Sequence, residues 1–598
     1  MAVLLTACTP NPDTSTEIQT QISLIQPATP FSGKPITLDF IGPETSETAE
    51  PNPFTDMRLT VDFTQGDQEI QIRGFFAADG DAANTGATRG NIWRAHFSPP
   101  RAGLWNWSAR LESGEGIALD FEASGTAIPL NMSSGSFEVT DPVPILRTEG
   151  QYYRFSDGRR FLKGGTNSPE NLLGYVDFDG TYRMETQMRS GESNATDRVL
   201  HSYEPHISDW QAGDPTWQDG KGKGLIGSLN YLSDRGMNAA YFLTFNIGGD
   251  GKDVWPFHAP DDFTRFDVSK LEQWNIVFDH MMSRGIMMHV VLQETENELT
   301  MDAGETGPDR QLYFAELISR FAHHPALVWN LGEENGPVFW RPEGQTDDQR
   351  RDMVTALTQL DPYDHPIVLH THSEPADKDH ILDPLLGFNG LDGLSFQISN
   401  RRLVNSETQK WVAKSKAAAQ PWVMTMDEIG HWHTGARTDA VDPTHDSLRR
   451  HALWGHLLAG GAGVEWYFGG LHEANDLKSE DWRKRENLWD QTRHALEFFE
   501  THLPYWEMVP CAGIIDRADS YCFGKDGLYA IYLIEGGTGI LSLPEDSGIW
   551  EIKWFDPVTG GVLQIGTHEN VTAGSWVELG FPVPYDGRDR VVLLERTP

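Results

Sequence analysis

Two short acidic segments hold the groups in this chain best suited to chemistry. One reads Val328-Trp-Asn-Leu-Gly332-Glu333-Glu334-Asn335-Gly, the other Val423-Met-Thr-Met-Asp427-Glu428-Ile-Gly430. Each leaves an apolar run and meets glycine, as a buried strand does when it ends in a loop. A carboxylic acid and a carboxylate facing each other across a cleft can break a glycosidic bond. One protonates the leaving oxygen, and the other attacks the anomeric carbon or positions water there. Glu428 must be ionised to attack. Glu334 must hold its proton near neutral pH, through burial and the negative charge beside it. Asp427 points to the other side of an extended strand and reads as a structural partner.

Such acids need buried strands to present them, and the region from 150 to 505 supplies a repeating series. Arg160-Phe-Leu-Lys-Gly-Gly165 reads as a first strand, and Ala239-Ala-Tyr-Phe-Leu-Thr-Phe245, Ile286-Met-Met-His-Val-Val-Leu292 and Ala326-Leu-Val-Trp-Asn-Leu331 follow. Pro366-Ile-Val-Leu-His370, Gly393-Leu-Ser-Phe396, Trp422-Val-Met-Thr-Met426 and Gly463-Val-Glu-Trp-Tyr467 complete the set. Between them lie helical faces, such as Phe314, Leu317, Ile318 and Phe321, and a capping box at Ser269-Lys-Leu-Glu272. Further helices are expected near 405–419, 446–459 and 484–501. Eight strand–helix pairs make an α/β fold, a (β/α)8 TIM barrel, whose function sits at the C-terminal strand ends. Glu334 then follows strand four and Glu428 strand seven. The 167–222 segment is a long insertion, with Trp210 and Trp217 placed to close one end of a cleft and favour exo action.

At these two segments the sequence resembles the clan A retaining glycoside hydrolases. Glu334 falls where that family has the glutamate of a Trp-x-x-x-Asn-Glu pattern, Glu428 matches its Glu-x-Gly, and the two are 94 residues apart. The resemblance implies Glu334 as acid/base, Glu428 as nucleophile, carboxyl groups about 5–5.5 Å apart and retention of configuration. The asparagine of the family pattern is Glu333 here, so Glu333 is the other candidate for the acid. Asn335, or Asn246 after strand two, is then left to meet the sugar 2-hydroxyl. The resemblance also makes Trp466 the aromatic floor under the sugar. Other strand ends offer substrate contacts: Asn167, the Gln293, Glu294 and Glu296 group, His370, His372, Gln397, Arg401 with Arg402, His431 and Trp432. A guanidinium pair suits a sulfate or carboxylate, which points to a charged algal polysaccharide, with plant cell-wall glycan as the alternative.

No cofactor or metal is expected. His370-Thr-His372 and His431-Trp-His433 keep a metal-dependent barrel hydrolase as an alternative. Amidohydrolase-type barrels, however, carry His-x-His after strand one, where this chain has Gly165-Thr-Asn-Ser. A non-catalytic glycan-binding lipoprotein is the other alternative.

Both flanks read as β-sandwich domains. Residues 33–145 hold alternating strands such as Met57-Arg-Leu-Thr-Val-Asp-Phe63, with Gly74-Phe-Phe, Asn91-Ile-Trp93 and Gly103-Leu-Trp105. These resemble the immunoglobulin-like module that precedes many bacterial glycoside hydrolases. Residues 506–598 return to β texture, and Trp554-Phe-Asp-Pro-Val-Thr-Gly560 resembles the small C-terminal sandwich of many bacterial glycosidases. At the start, Leu5-Thr6-Ala7-Cys8 resembles a bacterial lipobox, which implies an exported protein anchored by lipid on Cys8, with residues 1–8 a signal remnant and 9–32 a disordered tether. Cys511 and Cys522 either pair or stay free thiols. Asp and Glu number 87 against 47 Lys and Arg, a net charge of −40, which disfavours nucleic acid and anionic membranes as partners.

Overall fold

The computed structural model describes residues 31, 33–120, 123–184, 200–544 and 547–597. Cys8 and the 9–32 segment, Phe31 apart, lie outside them, as does part of the 167–222 insertion. Among the described residues no helix is long and apolar enough to cross a membrane.

Eight parallel strands close into a barrel in sequence order. They are β1 (Lys163–Thr166), β2 (Ala239–Leu243), β3 (Met287–Val291), β4 (Leu327–Asn330), β5 (Ile367–His370), β6 (Gly393–Ile398), β7 (Val423–Ile429) and β8 (Gly463–Trp466). Every residue of these strands is buried, as strands packed on side chains inside and helices outside must be. Helices Lys223–Asp234, Val268–Ser283, Pro308–Phe321, Asp347–Leu360, Pro375–Leu382, Val404–Ala417 and Glu486–His502 lie between and after them. The element before β8 is a π-helix, Leu448–Trp454, continued by Gly455–Leu457.

Two local expectations change. Arg160 and Phe161 do not enter the barrel; they pair antiparallel with Tyr153 and Arg154 in a three-stranded meander, and β1 begins at Lys163. That meander spans 146–161 and lies across the N-terminal ends of the strands. Leu146 N–H donates to Pro325 O before β4, Arg147 reaches Asp364 O before β5, and Gln151 reaches Gly460 O before β8. Its Tyr152 and Tyr153 are buried.

The second change is at Asp427. The β6–β7 register shifts between Phe396 and Gln397, so that Phe396 faces Met426 but Gln397 faces Glu428. Asp427 is the extra residue of a bulge, which bends the strand and re-aims the side chains beyond it. Asp427 is therefore not turned away on a regular strand. It enters the barrel interior, and Glu428 still reaches the mouth.

There Asp427 meets the Lys163 ammonium at 2.7 Å, and Glu465 of β8 meets it at 2.9 Å. All three side chains are fully buried. Thr425 Oγ1 accepts from the same ammonium at 3.1 Å, and His289 Nδ1 stands 3.3 Å away. His289 Nε2 meets the Asn330 amide at 3.0 Å, and Asn330 Oδ1 accepts from the N–H groups of Gly332 and His370. One polar chain thus runs from the barrel interior to the ends of β4 and β5.

Smaller β-sheet regions flank the barrel. Before it, Ile36–Ser46, Arg89–Phe97 and Phe75–Phe76 form one antiparallel sheet, and a five-stranded sheet is built around Met57–Gln65 and Gly103–Ser113. Phe63 of the second stacks on Phe97 of the first at 4.0 Å between centroids. Arg94 ties this region to the barrel through Glu272 at 3.0 Å. After the barrel comes a six-stranded sheet with a two-stranded one beside it. Here the Arg449 guanidinium clasps Asp589 with two buried bonds of 2.9 and 2.7 Å, and Trp454 stacks on Tyr532. Cys511 and Cys522 are joined in a disulfide.

The Lys163 cluster makes a prediction. Lys163→Met leaves Asp427 and Glu465 facing each other without a cation, and removing one partner of a buried charge set costs about 3–5 kcal/mol. Urea unfolding of the variant is expected to show a loss of that order. A loss below about 1 kcal/mol would mean that the ammonium is dispensable to the barrel.

Candidate active site

The C-terminal ends of the strands open on a cavity of about 590 Å³. Its lining includes Glu333, Glu334 and Glu428, together with Gln397, His372, His431 and Trp432 from the expected contacts, and Glu294 and Glu296 after β3. The expected acids therefore share one cleft.

Glu428 is buried, and Gln397 Nε2 donates to its Oε1 at 2.6 Å. His370 Nε2 stands 3.5 Å from Glu428 Oε2. The ring's protonation is set by its other face. The Glu334 backbone N–H donates to His370 Nδ1 at 2.9 Å, and a backbone N–H can only donate. Burial holds His370 well below the usual histidine range, so the ring is neutral. Its one proton is then on Nε2, which makes no hydrogen bond and has Glu333 and Glu428 as its carboxyl neighbours.

His372 is arranged the other way. Its Nε2 faces Gly336 O at 3.1 Å, and a carbonyl oxygen can only accept, so Nε2 carries the proton. Burial pushes this ring down to about 4. The bare Nδ1 makes no hydrogen bond, and Glu334 Oε2 is 4.0 Å from it. Glu334 is only partly buried and holds a left-handed backbone conformation, φ 41°. That conformation costs a residue with a Cβ about 1–3 kcal/mol and recurs at functional sites.

Glu333 is buried, with an oxygen within 4.8 Å of both Glu428 and His370. Its N–H donates to Gln293 O, and its own carbonyl accepts from Thr295. Burial first, then the charge of Glu428, holds its carboxyl well above the usual range. Burial and the charge of Glu334 raise Glu428 as well, while the Gln397 bond pulls it down. Glu170 and Glu294 bring a further oxygen each to within 4.8 Å of Glu333. In shape, the Glu333–His370–Glu428 and Glu170–Glu294–Glu333 groups could each hold a cation. In the first, His370 offers a protonated nitrogen, which does not fit a metal ligand.

Several expected contacts lie elsewhere. Trp466 is fully buried and donates from Nε1 to Thr492 on the outer helix, so it is not the floor of the cleft. Its neighbour Tyr467 lines the cavity instead, with its hydroxyl donating to Trp432 O. Arg401 donates to Gly435 O, and neither it nor Arg402 lines the cavity. Asn246 clamps its own loop by accepting from the N–H groups of Asp253 and Val254. Asn335 donates to Gln345, Asn167 donates to the Asp427 carbonyl, and Gln293 bonds Gln345. Trp217 packs on Phe178 and Trp210 lies under Lys223, so neither closes the cleft.

The cleft also draws on residues that reading the strand ends missed. Glu170, Asp250, Glu374, Asp377 and Asp476 line it, as does the exposed Trp340. Glu170, Asp250 and Trp340 lie in loops, Glu374 and Asp377 at the start of the Pro375–Leu382 helix and Asp476 in a short 3-10 turn, and acidic residues in such places carry no pattern of their own. A Trp340 beside a fully exposed Phe339 was the one visible signal.

Comparison with known proteins bears on the fold. Residues 34–112 match a family described as a domain of unknown function, DUF5060. No curated protein matches the chain. Among solved structures, a candidate glycoside hydrolase from Bacteroides vulgatus is similar at 15% identity and a TM-score of 0.62, over 94% of this chain and 99% of that one. A glycoside hydrolase family 5 protein from the same organism shares 15% identity with a TM-score of 0.51, over 76% and 92%. A third structure, a glycoside hydrolase, shares 14% identity with a TM-score of 0.52, over 76% and 97%. The likeness at these identities is one of fold.

The buried carboxyls give stability a direction with pH. Glu170 is held well above the usual range by burial and then by Glu333, and Asp476 is pushed up to about 6. In an unfolded chain such groups ionise near pH ~4. Below that, both states are protonated and stability is intact. As pH rises towards the folded values, the unfolded chain alone loses protons and stability falls. Glu170→Gln removes one such group. Between about pH 5 and about pH 8, its unfolding free energy is expected to fall less than the parent's. An equal fall would show that Glu170 does not titrate in this way.

Proposed function

We propose that the chain is a glycoside hydrolase acting on a polysaccharide or oligosaccharide by the retaining route. The observation that carries this is the opposite orientation of the two histidines. His370 places an N–H nitrogen 3.5 Å from Glu428, a polarity that suits a carboxylate there. His372 places a bare nitrogen, not an N–H, 4.0 Å from Glu334, a polarity that suits an acid there. An anionic nucleophile and a protonated acid across one cleft are the starting state of double displacement.

In this reading Glu428 attacks the anomeric carbon while Glu334 protonates the leaving oxygen, and a glycosyl-enzyme ester forms. The negative charge on Glu428 is then consumed, so Glu334 can stay ionised and take a proton from the attacking water. Gln397 holds the nucleophile's other oxygen. Tyr467, Trp432 and Trp340 give the sugar faces to pack on. The three similar structures are named as glycoside hydrolases or candidates, in agreement with this reading.

A second assignment has its own support: Glu333 is more deeply buried than Glu334 and lies within 4.8 Å of Glu428, so it could be the proton carrier. The flanking regions, 33–145 and 506–598, are read as sandwiches that support a 150–505 catalytic barrel, the first of them immunoglobulin-like. Export with a lipid anchor on Cys8 completes the proposal.

Aryl glycosides with a good leaving group need little acid assistance, and natural glycans need a great deal. Glu334→Gln is expected to lose about 10²–10⁴-fold on glycans and far less on the activated substrate. Glu428→Gln should lose both activities. The same split in Glu333→Gln, with Glu334→Gln near parental, would move the acid to Glu333. Inversion in the product, followed by NMR, would overturn the retaining route.

A further inference from the structure

Away from the cleft, a second cluster of ionisable side chains lies where the N-terminal sheet meets the barrel. Asp279 belongs to the Val268–Ser283 helix, and His323 and His324 follow the end of the Pro308–Phe321 helix. Each offers one ligand atom, and these three atoms lie within 4.8 Å of one another. Both histidines are buried, while the Asp279 side chain is 59% exposed, so the group opens to solvent on its carboxylate side. Among the described residues neither lysine nor arginine pairs with Asp279; its ion-pair partners are these two rings.

The tautomer of His324 is set by its other face. Its Nδ1 stands 2.8 Å from the Phe321 carbonyl oxygen, which can only accept, so Nδ1 carries a proton. Nε2 is then the free nitrogen of the neutral ring, and it faces Asp279 Oδ1 at 3.1 Å. A bare nitrogen and a carboxylate oxygen are both acceptors, so something positive must lie between them. A proton answers that need for His324 alone. It leaves out His323, which is 4% exposed, whose Nε2 stands 3.9 Å from the same Oδ1 and whose Nδ1 has no hydrogen-bond partner. A divalent ion answers it for all three ligands at once.

The distances suit zinc-like coordination. With bonds of about 2.0–2.1 Å, tetrahedral ligand atoms stand about 3.3 Å apart. Asp279 Oδ1 is within about 0.6 Å of that spacing from each histidine nitrogen. The supporting contacts are those that metal ligands use. His324 donates its remote N–H to a backbone carbonyl, and the Asn275 amide donates to Asp279 Oδ2 at 3.1 Å. Two imidazoles with one carboxylate favour a transition ion over Mg²⁺ or Ca²⁺, which prefer oxygen ligands.

We propose that Asp279, His323 and His324 bind a zinc-like divalent ion, its fourth position open to water, and that the ion braces the N-terminal sheet against the barrel. The bracing follows from what rests on His323. His96 of the Arg89–Phe97 strand packs on the His323 ring at 4.2 Å between centroids, and Ser98 Oγ donates to the His323 carbonyl. None of the three ligands lines the cleft, so the site is independent of the glycosidase reading.

The untagged, metal-stripped full chain would be titrated calorimetrically with Zn²⁺ alone and, separately, with Mg²⁺. One zinc per chain is expected to bind in the micromolar range or tighter, with no magnesium binding at that level. Asp279→Asn, His323→Gln and His324→Gln are each expected to weaken zinc at least about tenfold. Asp279→Asn keeps the side chain's size at an exposed position, so it tests the site even if a buried histidine variant fails to fold. Zinc binding at millimolar concentration only, or micromolar binding unchanged by all three substitutions, would overturn the site. Its loss in Glu170→Gln or Glu333→Gln instead would place the ion in the cleft and overturn it too. Amide hydrogen exchange in Arg89–Phe97 should slow when zinc is added to the parent but not to Asp279→Asn. Unchanged exchange there would overturn the bracing.

Discussion

The barrel is organised around a buried ammonium. Lys163 of β1 meets Asp427 of β7 and Glu465 of β8, and its neighbours Thr425 and His289 extend the contact to β3. Few arrangements are as intolerant of displacement, since each of these charges is costly without the others. The cluster closes the sheet where its first and last strands meet. Through His289 and Asn330 it also fixes the N–H groups of Gly332 and His370, on either side of the Glu333–Glu334 pair. The position of the acids at the mouth is thus set several ångströms below it.

The bulge at Asp427 belongs to the same solution. A regular strand would send Asp427 and Glu428 to opposite faces, and only one could face inward. One extra residue lets Asp427 pair with Lys163 while Glu428 remains in the cleft opposite Gln397. Pairing below and a cleft-facing carboxyl above come from consecutive residues.

These features explain what could be read from the sequence. The eight strands were legible because buried parallel strands are continuous apolar runs, and the acids' place in one cleft because the C-terminal strand ends of a barrel open on one face. The helices near 405–419 and 484–501 fall at Val404–Ala417 and Glu486–His502. What failed was register and reach. Trp466 and Tyr467 both end the eighth run, and nothing local says which one turns to the cleft. Arg401 is a few residues past β6, yet its side chain goes to Gly435 O. Glu170, Asp250 and Asp476 arrive from loops whose course depends on tertiary packing. The histidine tautomers were invisible for a related reason, because they depend on which backbone atom each ring meets.

The meander over the N-terminal strand ends makes the barrel a vessel with a single opening. Buried Tyr152 and Tyr153 stopper the base, while the cleft above is the way in. Under the proposed retaining route, traffic in such a vessel has to be sequential: the aglycone would vacate the mouth before the hydrolytic water takes its place, and a sugar small enough to linger there would delay the next turnover.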